Sequence, residues 1–261
     1  MTDRGMHHAT QEGDAAVSLS SPVAEQAPIV LQVTALTKRY GDQVALADIA
    51  LTIRAGEILG LIGPNGAGKT TLLEALAGVL PADTATILWR GEPLPPARQR
   101  DVLFYLPDGM RPYHDQSVAR VLAFFAGVYQ CAPTHLASVV AAVGLAPVLA
   151  KRVHALSKGY SRRLMLAVGL LTPQPLLLMD EPFDGFDLRQ TREIMGVLRQ
   201  YAAAGRTLVL AIHQLLDAER VCDRFVLLAD GRVCGAGTLG ELRTQTQLPT
   251  GTLEEVFLAL T

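Results

Sequence analysis

A glycine-rich segment that ends in lysine and threonine is the part of the sequence best suited to chemistry. Its residue types fit the phosphate-binding pattern GxxxxGK[ST]. Glycines let consecutive backbone N–H groups turn toward phosphate oxygens, and a helix that begins near the lysine presents its positive dipole end to the same anion. The predicted phosphate-binding residues are Gly63, Pro64, Asn65, Gly66, Ala67, Gly68, Lys69, Thr70 and Thr71.

Two side chains of this segment have distinct predicted roles. Lys69 reaches the β- and γ-phosphates of a nucleotide, and the Thr70 hydroxyl ligates Mg²⁺. The alternative is a glycine-rich turn that merely precedes a helix. An apolar strand before the segment, at 57–62, and a helix after it, at 70–80, favour the phosphate site.

A second candidate is the pair of carboxylates Asp180 and Glu181, which follows the apolar run 176–179. Such a run predicts a buried strand, and ligands bind at the carboxyl edge of a parallel sheet. Asp180 is therefore predicted to hold Mg²⁺, and Glu181 to polarise the attacking water as general base. A solvated acidic turn is the alternative, and the four apolar residues before Asp180 disfavour it.

Strands that alternate with helices position these candidates and predict an α/β fold. We expect a P-loop NTPase core with a mostly parallel sheet, an antiparallel β edge and an inserted helical subdomain at about 109–165. Residues 29–261 form the predicted domain, and 1–28 a disordered tail without aromatic residues. Strands are predicted at 29–36, 44–53, 57–62, 86–90, 102–106, 176–179, 207–212 and 225–228, and helices at 70–80, 161–171, 187–204 and 253–260. The region 117–150 is also predicted to be helical, with a first apolar face that extends to Tyr129 and a second helical run at 134–143.

Composition excludes several classes of protein. The 261 residues carry 23 basic and 25 acidic side chains, a balance that is not typical of general nucleic-acid binders. Cys131, Cys222 and Cys234 lie far apart and have no zinc-ligand spacing. No apolar run reaches the roughly 18–20 residues of a membrane span, so at a membrane another chain would supply the spans.

These motifs together resemble the ATP-binding subunits of ABC transporters, from about residue 29 to the end of the chain. The diagnostic segment is residues 156–160, Leu-Ser-Lys-Gly-Tyr, which is similar to the family's LSGGQ signature. The resemblance implies that two subunits close head to tail around ATP. Ser157, Gly159 and Tyr160 of one subunit would then contact the ATP that the other subunit binds.

Three further residues match the family's pattern. The resemblance implies that Tyr40 stacks on adenine, that His213 is a switch histidine at the γ-phosphate, and that Asp187 lies in the loop that crosses the dimer interface. Taken alone, Tyr40 and His213 would more often be structural residues.

Four positions depart from that pattern. Lys158 and Tyr160 differ from the ideal signature, and Phe183 replaces a usual threonine. Asp108 stands where the family has the glutamine of its Q-loop. A carboxylate at that place is a hard oxygen ligand, so Asp108 is predicted to join the Mg²⁺ site.

The resemblance implies an ATPase that drives a separate multi-span permease from the cytoplasmic face of the membrane. The C-terminal segment 253–258 is similar to exporter subunits, and one chain carries every site component, which favours a homodimer. The permease is expected to bind at 110–129, through Met110, Tyr113, Phe124 and Phe125, because aromatic residues and methionine are enriched at interface cores.

Two alternative functions remain. A soluble ABC ATPase that acts on ribosomes or DNA is disfavoured because the chain has one ATPase domain and no sustained heptads between Lys69 and Asp180. A nucleotide-gated binding module with little turnover is disfavoured because Glu181 and His213 are both present.

Overall fold

The computed structural model describes residues 27–261. The tail predicted at 1–28 lies, up to residue 26, outside the described residues. Within the described part, the strands in chain order are β1 (Ile29–Tyr40), β2 (Gln43–Arg54), β3 (Ile58–Ile62), β4 (Thr84–Trp89), β5 (Glu92–Pro93), β6 (Leu103–Leu106), β7 (Leu176–Asp180), β8 (Thr207–Ile212), β9 (Arg224–Ala229) and β10 (Arg232–Gly237).

Helices alternate with these strands, and two 3₁₀ turns, Ala146–Val148 and Val153–Ala155, lie between the fourth and fifth helix. The α-helices are α1 (Lys69–Leu76), α2 (Pro96–Val102), α3 (Val118–Val128), α4 (Pro133–Ala142), α5 (Lys158–Leu171), α6 (Leu188–Ala203), α7 (Leu215–Val221), α8 (Leu239–Thr246) and α9 (Leu253–Leu260).

The strands form two sheets. The six-stranded sheet has the order β10-β9-β3-β8-β7-β6, and its neighbours pair in parallel except β10 with β9. The four-stranded sheet, β2-β1-β4-β5, is antiparallel. The predicted α/β fold with a mostly parallel sheet and an antiparallel edge is confirmed.

The six-stranded sheet is buried on both faces, which explains its unbroken apolar strands. Alternate residues of β3 enter different cores: Ile58 and Ile62 pack with the helices, and Leu59 and Leu61 pack with α1 and the antiparallel sheet. Strand β7 alternates in the same way. Helix α1 is therefore held between two sheets, and its first residue lies at the carboxyl end of β3.

Several element boundaries differ from the sequence prediction. Helix α1 ends at Leu76 rather than at residue 80. Gly78, two residues beyond this end, has a φ of +69°. The second helical run predicted at 134–143 corresponds to α4, which ends at Ala142 before Gly144, a residue with a φ of +70°. Elements α2, α7, α8, β5 and β10 were not predicted. Helices α3, α4 and α5 lie between β6 and β7 in the chain, and α5 extends to Leu171, beyond the interval 109–165.

Across residues 27–261, no helix combines the length and the apolar character that crossing a membrane requires.

Candidate active site

A cleft of about 630 Å³ opens at the carboxyl ends of β3 and β7, beside the start of α1. Both predicted motifs border this cleft. The glycine-rich segment follows β3, Asp180 is the last residue of β7, and Glu181 comes directly after it. Its lining is formed by Tyr40, Gln43, Val44, Ala45, Asn65, Gly66, Gly68, Lys69, Thr70, Thr71, Asp108, Asp180, Glu181, Asp230 and Gly231.

Lys69 lies at the base of this cleft, with only 7% of the residue exposed. Its Nζ donates to the carbonyl oxygens of Gly63 at 2.7 Å and Pro64 at 3.1 Å. Burial lowers the pKa of Lys69, and the carboxylates of Glu181 and Asp180 oppose that shift. The glycine-rich segment thus holds its own lysine in place. The Lys69 ammonium lies in the same cleft as the carboxylates of Asp180 and Glu181.

The start of α1 offers backbone N–H groups to the same space. The first N–H groups of a helix have no acceptor within it, and among the described residues no side chain caps α1. Gly68 precedes the helix with a φ of +101°, and a Cβ there would lie 2.7 Å from Leu46 Cδ2 and 2.9 Å from the Ala45 carbonyl oxygen. Only glycine fits this close approach. Because no side chain in the described part of the chain caps the helix, its first N–H groups are free to bind a phosphate.

Thr70 and Asp180 form the pair predicted to hold Mg²⁺. The Thr70 hydroxyl donates to Asp180 Oδ2 at 2.6 Å, and Asp180 is 5% exposed. Burial raises the pKa of Asp180, while the Thr70 hydrogen bond lowers it. Within the described residues, no group of three or more His, Cys, Asp or Glu side chains is arranged to hold a metal ion. One carboxylate and one hydroxyl fit Mg²⁺, which completes its shell with water and substrate phosphates.

Glu181 lines the cleft, and His213 lies against it. His213 Nδ1 lies 2.6 Å from Glu181 Oε2, and because an ionised carboxylate only accepts, Nδ1 donates its proton to the bond. Glu181 has a φ of +48°, and its N–H donates to the Ala211 carbonyl oxygen at 3.0 Å. The backbone and the histidine therefore fix the direction of the carboxylate.

Tyr40 stands on the opposite wall and is half exposed, with Lys38 Nζ 5.3 Å from the centre of its ring. The sequence prediction missed the rest of this wall. Residues 43–45 follow the turn after Tyr40, and Asp230 and Gly231 form the turn after β9. Because β9 is parallel to β3, its carboxyl end lies at the same edge, and this rule was available from the sequence.

The signature residues Ser157, Gly159 and Tyr160 do not line this cleft. Ser157 is exposed and caps α5, accepting a hydrogen bond from the Tyr160 N–H at 3.3 Å. Gly159 lies under α6, where an added Cβ would be 3.0 Å from Gln190 Oε1. Asp187 caps α6 in the same way, through the Gln190 N–H at 2.8 Å. These groups therefore lie outside the cleft that Lys69 and Asp180 line.

The structure shows what surrounds two of the residues that differ from the family pattern, Asp108 and Phe183. Asp108 lines the cleft, but its carboxylate is bound by the guanidinium of Arg162 on α5. Phe183 is buried in the core that the helices share with the six-stranded sheet, and so has a packing role. The sequence does not indicate a role for Arg162, because nothing in its spacing distinguishes it from Arg163.

Known proteins are similar to this chain in sequence and in fold. A family described as ABC transporter matches residues 46–184. An uncharacterized ABC transporter ATP-binding protein of Methanocaldococcus jannaschii is 30% identical, covering 81% of this chain and 79% of that protein. The Nod factor export ATP-binding protein I of Burkholderia orbicola is 35% identical, covering 77% and 68%. A solved structure of an ABC transporter ATP-binding subunit aligns with a TM-score of 0.80 at 30% identity, covering 88% and 99%.

Proposed function

The chain belongs to the ATP-binding subunits of ABC transporters, which are ATPases coupled to transport, and we propose that it hydrolyses Mg-ATP as a homodimer to drive export through a separate membrane permease. One observation carries this proposal. Lys69, the Thr70–Asp180 pair and Glu181 line one cleft, and His213 is hydrogen-bonded to Glu181. A binding module without turnover has no need of the Glu181–His213 pair.

Each residue has a defined task in this reaction. Lys69 and the N–H groups of α1 hold the phosphates and stabilise the charge that develops on them. Thr70 and Asp180 hold Mg²⁺, which when bound neutralises charge on the phosphate oxygens. Glu181 Oε2 or its partner oxygen takes the proton of the attacking water, and His213 keeps that carboxylate in position. The ligand role predicted for Asp108 requires it to leave Arg162.

The dimer part of the proposal rests on the position of the signature loop. Ser157 and the start of α5 do not line the chain's own cleft, yet the loop carries a serine hydroxyl, a glycine and a helix N-terminus, all suited to phosphate. A second copy that faces the first head to tail would bring each loop to the other's cleft. Two equivalent sites then form across one two-fold axis.

The permease is proposed to bind the surface formed by the segment before α3 and the outer face of α3. Tyr113 is 87% exposed, and Met110, Phe124 and Val128 are exposed as well. Phe125 is half-buried between Phe124 and Tyr129, so it supports the surface rather than forming it. Exposed aromatic groups in one region are typical of protein interfaces. Binding there would hold the chain peripherally at the cytoplasmic face of the membrane.

Export is supported by the similarity to a Nod factor export ATP-binding protein and by helix α9, which begins at the predicted residue 253. The test uses the purified chain and, separately, inverted vesicles that contain it with its multi-span permease. We expect Mg-ATP hydrolysis by the chain, and ATP-dependent uptake into inverted vesicles, since their lumen corresponds to the outside. Hydrolysis without any permease-dependent stimulation would contradict the transport role, and uptake only in right-side-out vesicles would contradict export.

A further inference from the structure

Arg162 joins two parts of the molecule that the reaction so far leaves unconnected. Its guanidinium binds the Asp108 carboxylate on one side. On the other side, Nη2 lies 3.3 Å from Asp184 Oδ2, and Nε donates to the Asp184 carbonyl oxygen at 3.1 Å. The side chain of Arg162 is only 16% exposed, against 52% for Asp108. The arginine is thus the fixed member of the pair.

Asp184 is itself held in place by Lys158 of the signature loop. Lys158 Nζ lies 2.9 Å from Asp184 Oδ2. The lysine stem crosses Gly185 so closely that a Cβ there would lie 2.7 Å from Lys158 Cδ and Cε. Hydrogen bonds from Lys158 and Arg162 hold the pKa of Asp184 below its usual range, so Asp184 stays anionic and keeps Arg162 in position.

The charge of Asp108 acts on the cleft. Asp108 lines the cleft together with Asp180, Glu181 and Asp230, so four acidic residues border a space that has to receive a triphosphate. Asp108 raises the pKa of Asp180, and Arg162 lowers it, although burial contributes most. The two charges therefore have opposite effects at the position of the nucleotide.

We propose that Arg162 sets the ATP affinity of the cleft by neutralising Asp108, and that Asp184 and Lys158 hold Arg162 in the position where it does so. Arg162 is a positioning residue in this account, because it acts through Asp108. The proposal rests on the proposed function, in that the cleft is the ATP site. It also explains why two departures from the family pattern, Asp108 and Lys158, occur in one chain: they are the two ends of one ionic network.

A double-mutant cycle tests this proposal, with ATP binding measured by calorimetry in EDTA and again with Mg²⁺. Arg162→Gln keeps the length and a donor but removes the charge. We expect it to weaken ATP binding about fivefold in EDTA, as one uncompensated charge at a partly solvated site would do. Asp108→Asn alone should bind ATP up to about twofold more tightly in EDTA, because it removes one negative charge from the cleft lining. The double variant should return to within about twofold of wild type, because the charge to be neutralised is gone.

Two controls isolate the charge effect. Arg98→Gln removes an arginine from an exposed Arg–Asp pair on α2 and should leave ATP affinity unchanged. Arg162→Lys retains the charge and should bind ATP nearly as well as wild type. Thermal unfolding of each variant identifies any that fail to fold. If Arg162→Gln is one of them, Asp184→Asn replaces it, because it removes the carboxylate that holds Arg162 and should also weaken ATP binding in EDTA. Wild-type affinity in a folded Asp184→Asn chain would overturn the proposal.

The possible outcomes distinguish a failure of the role proposed for Arg162 from a failure of the proposed ATPase function. A loss in Arg162→Gln that Asp108→Asn does not restore would overturn the proposal, since Arg162 would then be needed for the fold of α5 alone. Weaker binding of Asp108→Asn only with Mg²⁺ would also overturn it, since Asp108 would then be a metal ligand. A wild-type chain that does not bind ATP would instead overturn the proposed function, and this proposal with it.

Discussion

The phosphate-binding segment and the signature loop are both built on the start of a helix, yet only one is completed by its own chain. The segment before α1 is closed by Lys69 bonds to Gly63 and Pro64, and it faces the cleft with Asp180. The loop before α5 has an exposed Ser157 at its helix start and lies outside that cleft. The N-terminus of a helix thus borders the chain's own cleft in one region and lies outside it in the other.

This difference predicts how substitutions in the two regions behave. Changes in the phosphate-binding segment should abolish ATP binding by a single chain. Changes in the signature loop should leave that binding intact and affect only the steps that need two chains. The catalytic pair Glu181 and His213 lies between these cases, because it is complete within one chain but acts once the site has closed.

Lys69→Ala should have the largest effect. It removes the buried cation that compensates the phosphate charge, and we expect hydrolysis to fall about 10³-fold or more together with a loss of ATP binding. Fluorescent-ATP titration and a phosphate-release assay measure the two effects. Lys151→Ala is the matched control, an exposed lysine outside the cleft lining, and should retain turnover. Wild-type turnover in Lys69→Ala would exclude the phosphate-site assignment.

Glu181→Gln should separate binding from chemistry. The substitution keeps the shape and the hydrogen bond to His213 but removes the base, so hydrolysis should fall about 10²- to 10³-fold while ATP binding persists. ATP-bound chains should accumulate as closed dimers, which sedimentation with Mg-ATP would detect. A variant that remains monomeric and hydrolyses ATP normally would contradict the role of this carboxylate.

Ser157→Ala is the sharpest test of the signature loop. It removes one hydroxyl, and hydrolysis should fall about 10²-fold, the usual cost of one transition-state donor. Affinity for ATP in dilute, monomeric chain should not change, because Ser157 does not line the chain's own cleft. Ser138→Ala, an exposed serine on α4, serves as control. Loss of monomer binding in Ser157→Ala would remove the contrast between the two loops.

Tyr113→Asp should have the smallest effect on the isolated chain. The side chain is exposed and lies outside the cleft lining, so soluble ATPase activity should stay at the wild-type level. Coupled transport should fall about tenfold, because a charge in an interface core disrupts permease binding. Val79→Asp, an exposed apolar residue elsewhere, controls for added charge. Unimpaired transport by Tyr113→Asp would place the permease on another surface.

The sequence was sufficient where a motif carries its own geometry. Lys69, Thr70, Asp180 and Glu181 were predicted from strand–loop–helix order, since parallel strands bring their carboxyl ends to one edge. The bounds of helix α9 were predicted as observed, because the apolar pattern and the helix both begin at Leu253 and end at Leu260. The division into a core and a helical subdomain at about 109–165 stays a prediction.

Other parts needed the three-dimensional structure or a closer use of local signals. Strand β10 contains Gly235 and Gly237, which weakens its strand pattern, although the Asp230-Gly231 pair before it is a hairpin signal. Helix α8 begins with a capping box, Thr238 and Glu241, that could have been recognised. The contact of Arg162 with Asp108 joins residues 54 positions apart, and no spacing rule predicts it.

The central claim is that each ATP site is completed by the signature loop of a second copy. Mixing Glu181→Gln chains with Ser157→Ala chains before nucleotide is added tests it directly. A mixed dimer holds one intact site, made of Glu181 from one chain and Ser157 from the other. Random pairing makes half the dimers mixed, so hydrolysis should recover to about a quarter of the wild-type rate. A mixture that hydrolyses ATP no faster than the mean of the two variants alone would contradict the claim.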